Sequence, residues 1–179
     1  MSEVRSSSMT DVAKKGNGRG PLSGRGRQIY EMAKLMLTGK YIPIIGQGKA
    51  RWNNVHVHDL SDVFALLVEA AVAKNTSKEL WGANGYILVE DGEHLWSDLA
   101  RKMGSEAEKL GYLSKPEEKP LSKDAAIDQA GFEAVSWGLN SRCQAQRARE
   151  VLGWKPSRTS IEHELPTILK AEHERLSKS

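Results

Sequence analysis

Cysteine is nearly absent from this chain of 179 residues, because Cys143 is its only one. A single cysteine excludes a disulfide framework and any metal site that needs several thiolates. Long apolar runs are missing too, and no stretch approaches the roughly 18 consecutive apolar residues that a membrane span requires. The N-terminal sequence MSEVRSSSMTDVAKK has no apolar core and does not resemble a secretory signal. We therefore expect a cytoplasmic protein that does not interact with a membrane.

The excess positive charge is confined to the N-terminus. Residues 1–27 contain six Lys or Arg against two Asp or Glu, whereas the other 152 residues contain 20 against 21. The same segment holds five of the sixteen glycines and almost no large apolar side chain, so it cannot bury enough surface to offset chain entropy. We expect residues 1–27 to be a basic, glycine-rich flexible segment and residues 28–179 to form the folded part, which is not predicted to bind nucleic acid.

Hydrophobic periodicity predicts a helix-rich α/β fold with few short strands. Helical spacing occurs in residues 28–37, 60–74, 95–110, 123–130, 142–152 and 161–176, and Asp59 is placed to cap the second of these helices. Strands are predicted at residues 41–45, 54–58 and 86–89, the last apolar enough to be covered on both faces. Residues 115–120 are interpreted as a polar connector. So few strands cannot complete a parallel sheet, which indicates part of an α/β protein.

Four segments resemble a known family when they are taken in order. They are GRGP at residues 18–21 with the helix after it, RWNNVHVHDLSDV at 51–63, GYILV at 85–89, and NSR at 140–142 followed by AREVLGWKP at 148–156. This order is similar to the C-terminal half of the NAD(P)-dependent epimerase/dehydratase family, the extended short-chain dehydrogenases. The LGWKP ending is the most specific of the four segments.

The resemblance implies an incomplete Rossmann-type fold, in which residues 28–179 are the C-terminal substrate-binding portion. Members of the family bind NAD or NADP on an N-terminal half, through a glycine-rich loop after the first strand. No such strand, loop and helix open this chain, so we expect a truncated protein that is not catalytic alone, and we assign no catalytic or cofactor-binding residue. The implied substrate is a small molecule, either a nucleotide sugar or another compound with a hydroxyl or carbonyl group.

Five residues are the candidate substrate contacts that the resemblance implies. Arg51 precedes a strand, where nucleotide-sugar members use an arginine to bind the diphosphate, because a guanidinium fork matches paired anionic oxygens. Trp52 and Asn53 would shape the same pocket, and Asn140 and Arg142 would supply a second polar contact. The alternatives are that Arg51 is a surface residue in a turn and that Asn140 and Ser141 cap the helix predicted over residues 142–152.

Three other motifs have weaker support. Tyr30 and Lys34 match the Tyr-x-x-x-Lys spacing of short-chain dehydrogenases, but no serine-bearing strand or glycine loop lies at the required distance before them. His56 and His58 could ligate a metal, although the remaining histidines fall in helical or turn regions, so no metal site is assigned. The glycine-rich run at residues 16–26 could face a phosphate, but no buried strand precedes it.

Two other function classes stay open. The chain could be a non-catalytic binding or regulatory protein derived from the same fold. It could also be an RNA-associated protein that uses the Gly-Arg segment before residue 28 for weak, salt-sensitive phosphate contacts.

Overall fold

The computed structural model describes residues 27–178, so the flexible segment predicted at residues 1–27 lies outside the described range except for its last residue. In chain order the helices are α1 (Gln28–Gly39), α2 (Val57–Val72), α3 (Trp96–Lys109), α4 (Lys123–Ala130), α5 (Gln146–Glu150) and α6 (Ile161–Leu176). The strands are β1 (Ile42–Ile45), β2 (Arg51–Asn53), β3 (Glu93–Leu95) and β4 (Glu118–Leu121), and 3₁₀ turns span Gly82–Asn84 and Phe132–Gly138. The prediction of a helix-rich α/β fold with few short strands is confirmed.

The described chain divides into two compact units. A major unit contains residues 27–54, 93–142 and 159–178, and a minor unit contains residues 55–92 and 143–158. All four strands belong to the major unit, whereas α2 and α5 belong to the minor unit.

The major unit holds two sheets of two strands each. β1 pairs in parallel with β4, with Ile42 opposite Glu118 and Ile45 opposite Leu121. β2 pairs antiparallel with β3. The interpretation of residues 115–120 as a connector is therefore wrong, because residues 118–120 begin β4. The sequence hides this strand because only Leu121 is buried, which leaves no alternation of apolar and polar residues to recognise.

The core of the major unit forms where α1, α3 and α6 bury their apolar faces around β1. Met36, Leu99, Met103 and Leu169 are among its fully buried side chains. Gly104 lets α3 approach β1 closely, since a Cβ there would lie 2.6 Å from the side chain of Ile42. Burying this set of side chains is the main favourable term for folding this unit.

The minor unit is built around Trp154, which belongs to the LGWKP sequence. Trp154 is buried with Val63, Ala145 and Ala148, and its Nε1 donates a hydrogen bond of 2.9 Å to the carbonyl oxygen of Asp59. The same aspartate also holds the segment that follows Trp154. The backbone amides of Ser157 and Arg158 donate to its two carboxylate oxygens at 3.0 and 3.1 Å.

The start of α2 differs from the sequence prediction. Residues 54–58 do not form a strand, because β2 ends at Asn53 and the helix begins at Val57. His56 is the capping residue, and its Nδ1 accepts a hydrogen bond from the amide of His58 at 3.1 Å. Asp59 lies in the first turn and is fully buried, so it does not cap the helix. The strand prediction was wrong because the alternating Val and His residues at 55–58 include the N-cap and the first residues of α2.

The segment at residues 86–89 forms neither a strand nor a helix. Ile87 and Val89 pack on the core of the minor unit, whereas 78% of Tyr86 and 47% of Leu88 are exposed. The prediction of a strand covered on both faces is therefore wrong. Arg149 Nη2 donates to the carbonyl oxygen of Glu90 at 2.8 Å, so side chains rather than a neighbouring strand hold this segment at its end.

Two helix predictions need adjustment. The helix predicted over residues 142–152 is limited to α5, which ends at Glu150, three residues before Gly153 with its φ of +66°. The predicted apolar face of α2 is only partly buried, because Val63 is buried but Phe64 is 63% exposed. Within residues 27–178, none of the helices combines the length and the apolar character needed to cross a membrane.

We predict that Asp59→Ala destabilises the minor unit, because it leaves the amides of Ser157 and Arg158 without their acceptors. A lost charged acceptor of two amides should lower the free energy of unfolding by about 2–3 kcal/mol. Hydrogen exchange of these two amides should accelerate, and Asp59→Asn, which keeps one carbonyl oxygen, should cause a smaller loss. Asp91→Ala is the control, since Asp91 is exposed in the same unit. Unchanged exchange of both amides in Asp59→Ala would contradict the assignment.

Candidate substrate site

The five residues proposed as substrate contacts lie together in the major unit. The amide of Asn53 donates to the carbonyl oxygen of Ser141 at 3.1 Å, and the amide of Ser141 donates back to the carbonyl oxygen of Arg51 at 2.9 Å. These bonds align β2 with residues 139–142, which follow it by about ninety positions in the chain. Arg51, Trp52 and Asn53 are thereby brought beside Asn140 and Arg142.

Two side chains strengthen this alignment. Asn140 Oδ1 accepts a hydrogen bond from the amide of Arg51 at 2.8 Å, and Trp52 Nε1 donates to the carbonyl oxygen of Leu139 at 2.7 Å. The alternative that Asn140 caps the following helix is wrong, since that helix begins only at Gln146. Asn140 instead satisfies a backbone donor at the first residue of β2.

Arg51 and Arg142 converge on one carboxylate. Arg51 Nη1 lies 2.9 Å from Glu93 Oε1, and Arg142 Nε donates to Glu93 Oε2. Partial burial alone would raise the pKa of the Glu93 carboxyl, but the hydrogen bonds from the two guanidinium groups outweigh it and hold that pKa below its usual value. Glu93 neutralises part of the positive charge here, so any substrate anion at Arg51 has to compete with an internal carboxylate.

An aromatic cluster lies beneath these strands. The ring of Trp96 contacts Trp52 edge-on at 5.7 Å between centroids and His94 edge-on at 4.7 Å, and it lies 6.5 Å from the ring of Trp137. Trp96, Trp137 and His94 are buried. The Nε atoms of all three rings are buried without a hydrogen-bond partner among the described residues, so these nitrogens add nothing to the support that the ring contacts give β2 and β3.

His94 is held as a neutral imidazole. Asn54 Nδ2 lies 3.2 Å from His94 Nδ1, and because an amide NH₂ can only donate, Nδ1 acts as acceptor and the proton is placed on Nε2. Burial lowers the pKa of His94, and the carboxylates of Glu162 and Glu93 only partly oppose that shift. Protonation would require a second N–H to face the amide donor of Asn54.

A hollow of about 280 Å³ adjoins this cluster of substrate candidates within the major unit. Asn140 and Leu139 form one side, and the turn after β1 forms another. Its full lining is Ile45, Gly46, Gln47, Lys49, Ala50, Lys123, Val135, Gly138, Leu139 and Asn140. Asn140 is thus the one candidate substrate residue that lines the hollow directly, while its hydrogen bond to Arg51 connects it to the others.

The sequence prediction missed four residues of this region. Glu93 and His94 sit on a strand of three residues that periodicity could not reveal. Lys49 and Lys123 line the hollow. The sequence signal that could have identified them is their position after a strand, since Lys49 follows the apolar strand at residues 41–45 and Lys123 follows β4. Only the first of these strands was recognisable from sequence.

The other candidate motifs do not join this site. Tyr30 and Lys34 share α1, where Lys34 Nζ lies 3.6 Å from Glu31 Oε2, and neither lines the hollow. His56 and His58 belong to the minor unit, and their rings stack with centroids 5.2 Å apart. In the part of the chain that the structure describes, no three His, Cys, Asp or Glu side chains are grouped to hold a metal ion.

The described residues do not fit a dinucleotide site. The glycine turn at residues 46–48 follows a strand, as a phosphate-binding loop must, but it leads into β2. A dinucleotide loop instead opens a helix, whose N-terminus faces the pyrophosphate. The equivalent position here is occupied by another strand.

One comparison with known proteins is informative. No family model matches the chain. A curated protein, the oxidase ucsJ of Acremonium sp., is 35% identical to it over 170 residues, which cover 92% of this chain and 49% of that oxidase. The chain therefore spans about half the length of the curated relative that it matches.

We predict that His94 titrates below the usual histidine range near 6.5. Because its folded pKa is lowered, the unfolded state takes up a proton first, so stability should fall as pH decreases from about 6.5 toward the folded pKa. NMR titration of the imidazole signals would measure the midpoint, with His94→Gln used for assignment. The same variant should show a weaker loss of stability between neutral and mildly acidic pH, and an unchanged slope would contradict the prediction.

Proposed function

We propose that this chain is the substrate-binding part of an NAD(P)-dependent oxidoreductase of the epimerase/dehydratase type. The observation that supports it most is the alignment of residues 51–53 with residues 139–142 beside a hollow, because these are the two segments from which the resemblance draws its substrate contacts. The 35% identity to a protein named an oxidase is in agreement with an oxidoreductase role.

The cofactor belongs, in this proposal, to sequence corresponding to the rest of the oxidase. That oxidase is about twice as long as the matched region, and the described residues here lack the strand, glycine loop and helix of a dinucleotide site. In an intact relative, NAD or NADP would exchange a hydride with a carbon that bears a hydroxyl or carbonyl group. The residues of this chain would bind the substrate and orient its reacting carbon toward the cofactor.

The polar groups beside the hollow suit such a molecule. The side-chain NH₂ group of Asn140 can donate to a hydroxyl or carbonyl oxygen, since Oδ1 of the same side chain already accepts a hydrogen bond from the backbone amide of Arg51. Arg51 and Arg142 are fixed by Glu93 rather than free, so they provide a preorganised edge with fixed donor directions. The buried tryptophans beneath β2 keep this edge rigid.

A chimera tests the proposal. The matched half of the Acremonium oxidase is replaced by this chain, and NADH and NADPH are titrated against the chimera, this chain alone and the intact oxidase, with energy transfer from tryptophan to the nicotinamide as the signal. We expect micromolar binding of one cofactor by the chimera and the intact oxidase and none by this chain alone. A cooperative thermal transition serves as the folding control for the chimera.

Three outcomes would contradict the proposal. Micromolar binding by this chain alone would place a cofactor site within it. Failure of the intact oxidase to bind either cofactor would exclude the NAD(P)-dependent class. A folded chimera that binds neither cofactor, although the oxidase does, would favour the alternative of a non-catalytic regulatory protein. The alternative RNA-binding role depends on residues 1–27 and stays a separate prediction.

A further inference from the structure

The hollow in the major unit lies at the carboxyl ends of two parallel strands. Ile45 is the last residue of β1, and Lys123 follows the end of β4 by two positions. The amide of Gly46 donates to the carbonyl oxygen of Leu121 at 3.0 Å, which holds the two strand ends together. In open α/β sheets, ligands bind in the crevice outside the carboxyl ends of the strands.

The charge of this hollow has one sign. Lys49 and Lys123 are its charged lining residues, and no Asp or Glu belongs to the lining. Within residues 27–178, neither lysine forms an ion pair, in contrast to Arg51 and Arg142, which share Glu93. The lysines therefore have no internal carboxylate to leave before they contact a ligand, whereas the two arginines share Glu93, which neutralises one of their two charges.

The rest of the lining is mainly apolar. Ile45, Val135 and Leu139 supply hydrocarbon surface, and Gln47 and Asn140 supply amide groups. A volume of about 280 Å³ is slightly below the roughly 300–1,000 Å³ that small-molecule sites occupy. The hollow therefore suits a compact molecule with an anionic end and an apolar body.

We propose that this hollow binds a small organic anion, in which a carboxylate or phosphate group is held by Lys49 and Lys123 and an apolar body lies against Val135 and Leu139. The proposal adds a substrate class to the proposed function, and it rests on that function only in naming the bound anion as the substrate. It also moves the anion contact away from Arg51, where the resemblance to nucleotide-sugar enzymes had placed it.

Matched ligands of one chain length test the chemistry. Hexanoate, hexyl phosphate, hexanol and inorganic phosphate are titrated against the isotopically labelled chain by heteronuclear NMR at low ionic strength. We expect hexanoate, hexyl phosphate or both to shift the amides of residues 46–50 and 138–140, and the comparison of the two identifies the preferred anion. Hexanol lacks the charge and inorganic phosphate lacks the apolar body, so both should bind much more weakly.

Charge-removing variants identify the contact. Lys49→Gln and Lys123→Gln should each weaken the binding of the preferred anion about threefold, and the double variant about tenfold, as expected for partly exposed ion pairs. Lys49→Arg should keep most of the affinity. Lys170→Gln is the matched control, because Lys170 is an exposed lysine of the same unit that does not line the hollow.

Several results would overturn the proposal. They are equal binding of hexanol, no shift of the lining amides by either organic anion, or a loss in Lys170→Gln equal to that in Lys49→Gln. Inorganic phosphate that binds as tightly as hexyl phosphate would exclude the role of the apolar wall. Because no nicotinamide cofactor is used, failure of this titration is distinguishable from failure of the chimera to bind NAD(P)H.

Discussion

The hydrogen bonding of β2 on both of its sides is the constraint on which the candidate site depends. Trp52 pairs with His94 of β3 on one side, while the backbone groups of Arg51 and Asn53 bond to Ser141 on the other. Successive residues of a strand direct their backbone groups to opposite sides, so three residues suffice to join three separate stretches of chain. β2 therefore brings Glu93 of β3 close to Arg142, which follows Ser141.

The aromatic cluster explains why such a short strand can be ordered. Three hydrogen-bonded residues do little alone, because short pairings rarely offset the entropy of ordering the chain. Trp52 contributes the missing energy, since its ring packs edge-on against Trp96 while its Nε1 bonds to the carbonyl oxygen of Leu139. The side chain of Trp52 thus connects β2 both to the aromatic cluster and to Leu139, while the neighbouring Arg51 side chain is held by Glu93.

How far the sequence predicted this structure can be argued from particular residues. Long amphipathic helices such as α1 and α3 were predicted nearly to the residue, because many positions contribute to one periodic signal. The strands β3 and β4 were missed because three or four residues with at most one or two buried side chains contain too little pattern. Resemblance, rather than periodicity, selected the segments 51–53 and 140–142, and the structure aligns them although periodicity offered no reason to pair them.

The LGWKP sequence shows what a specific motif can contribute. Trp154 is buried and donates to the backbone of Asp59, and that aspartate accepts the amides of Ser157 and Arg158. The motif was therefore informative because it reports a contact with the segment at residues 51–63, which belongs to the same resemblance. Asp59 was assigned as a cap from local rules that favour aspartate there, but local rules have no access to a partner almost one hundred residues away.

The distribution of charge decides where a ligand can be recognised. The two arginines share one internal carboxylate, so an anion that approaches them has to compete with Glu93 for the hydrogen bonds that fix all three side chains. An unpaired lysine has no such contact to give up. Lys49 and Lys123 can therefore turn toward an anion without breaking an internal ion pair, at a cost in side-chain entropy and hydration, while Asn140 connects their hollow to the fixed edge of β2. In this arrangement the arginines shape the site and the lysines select the ligand.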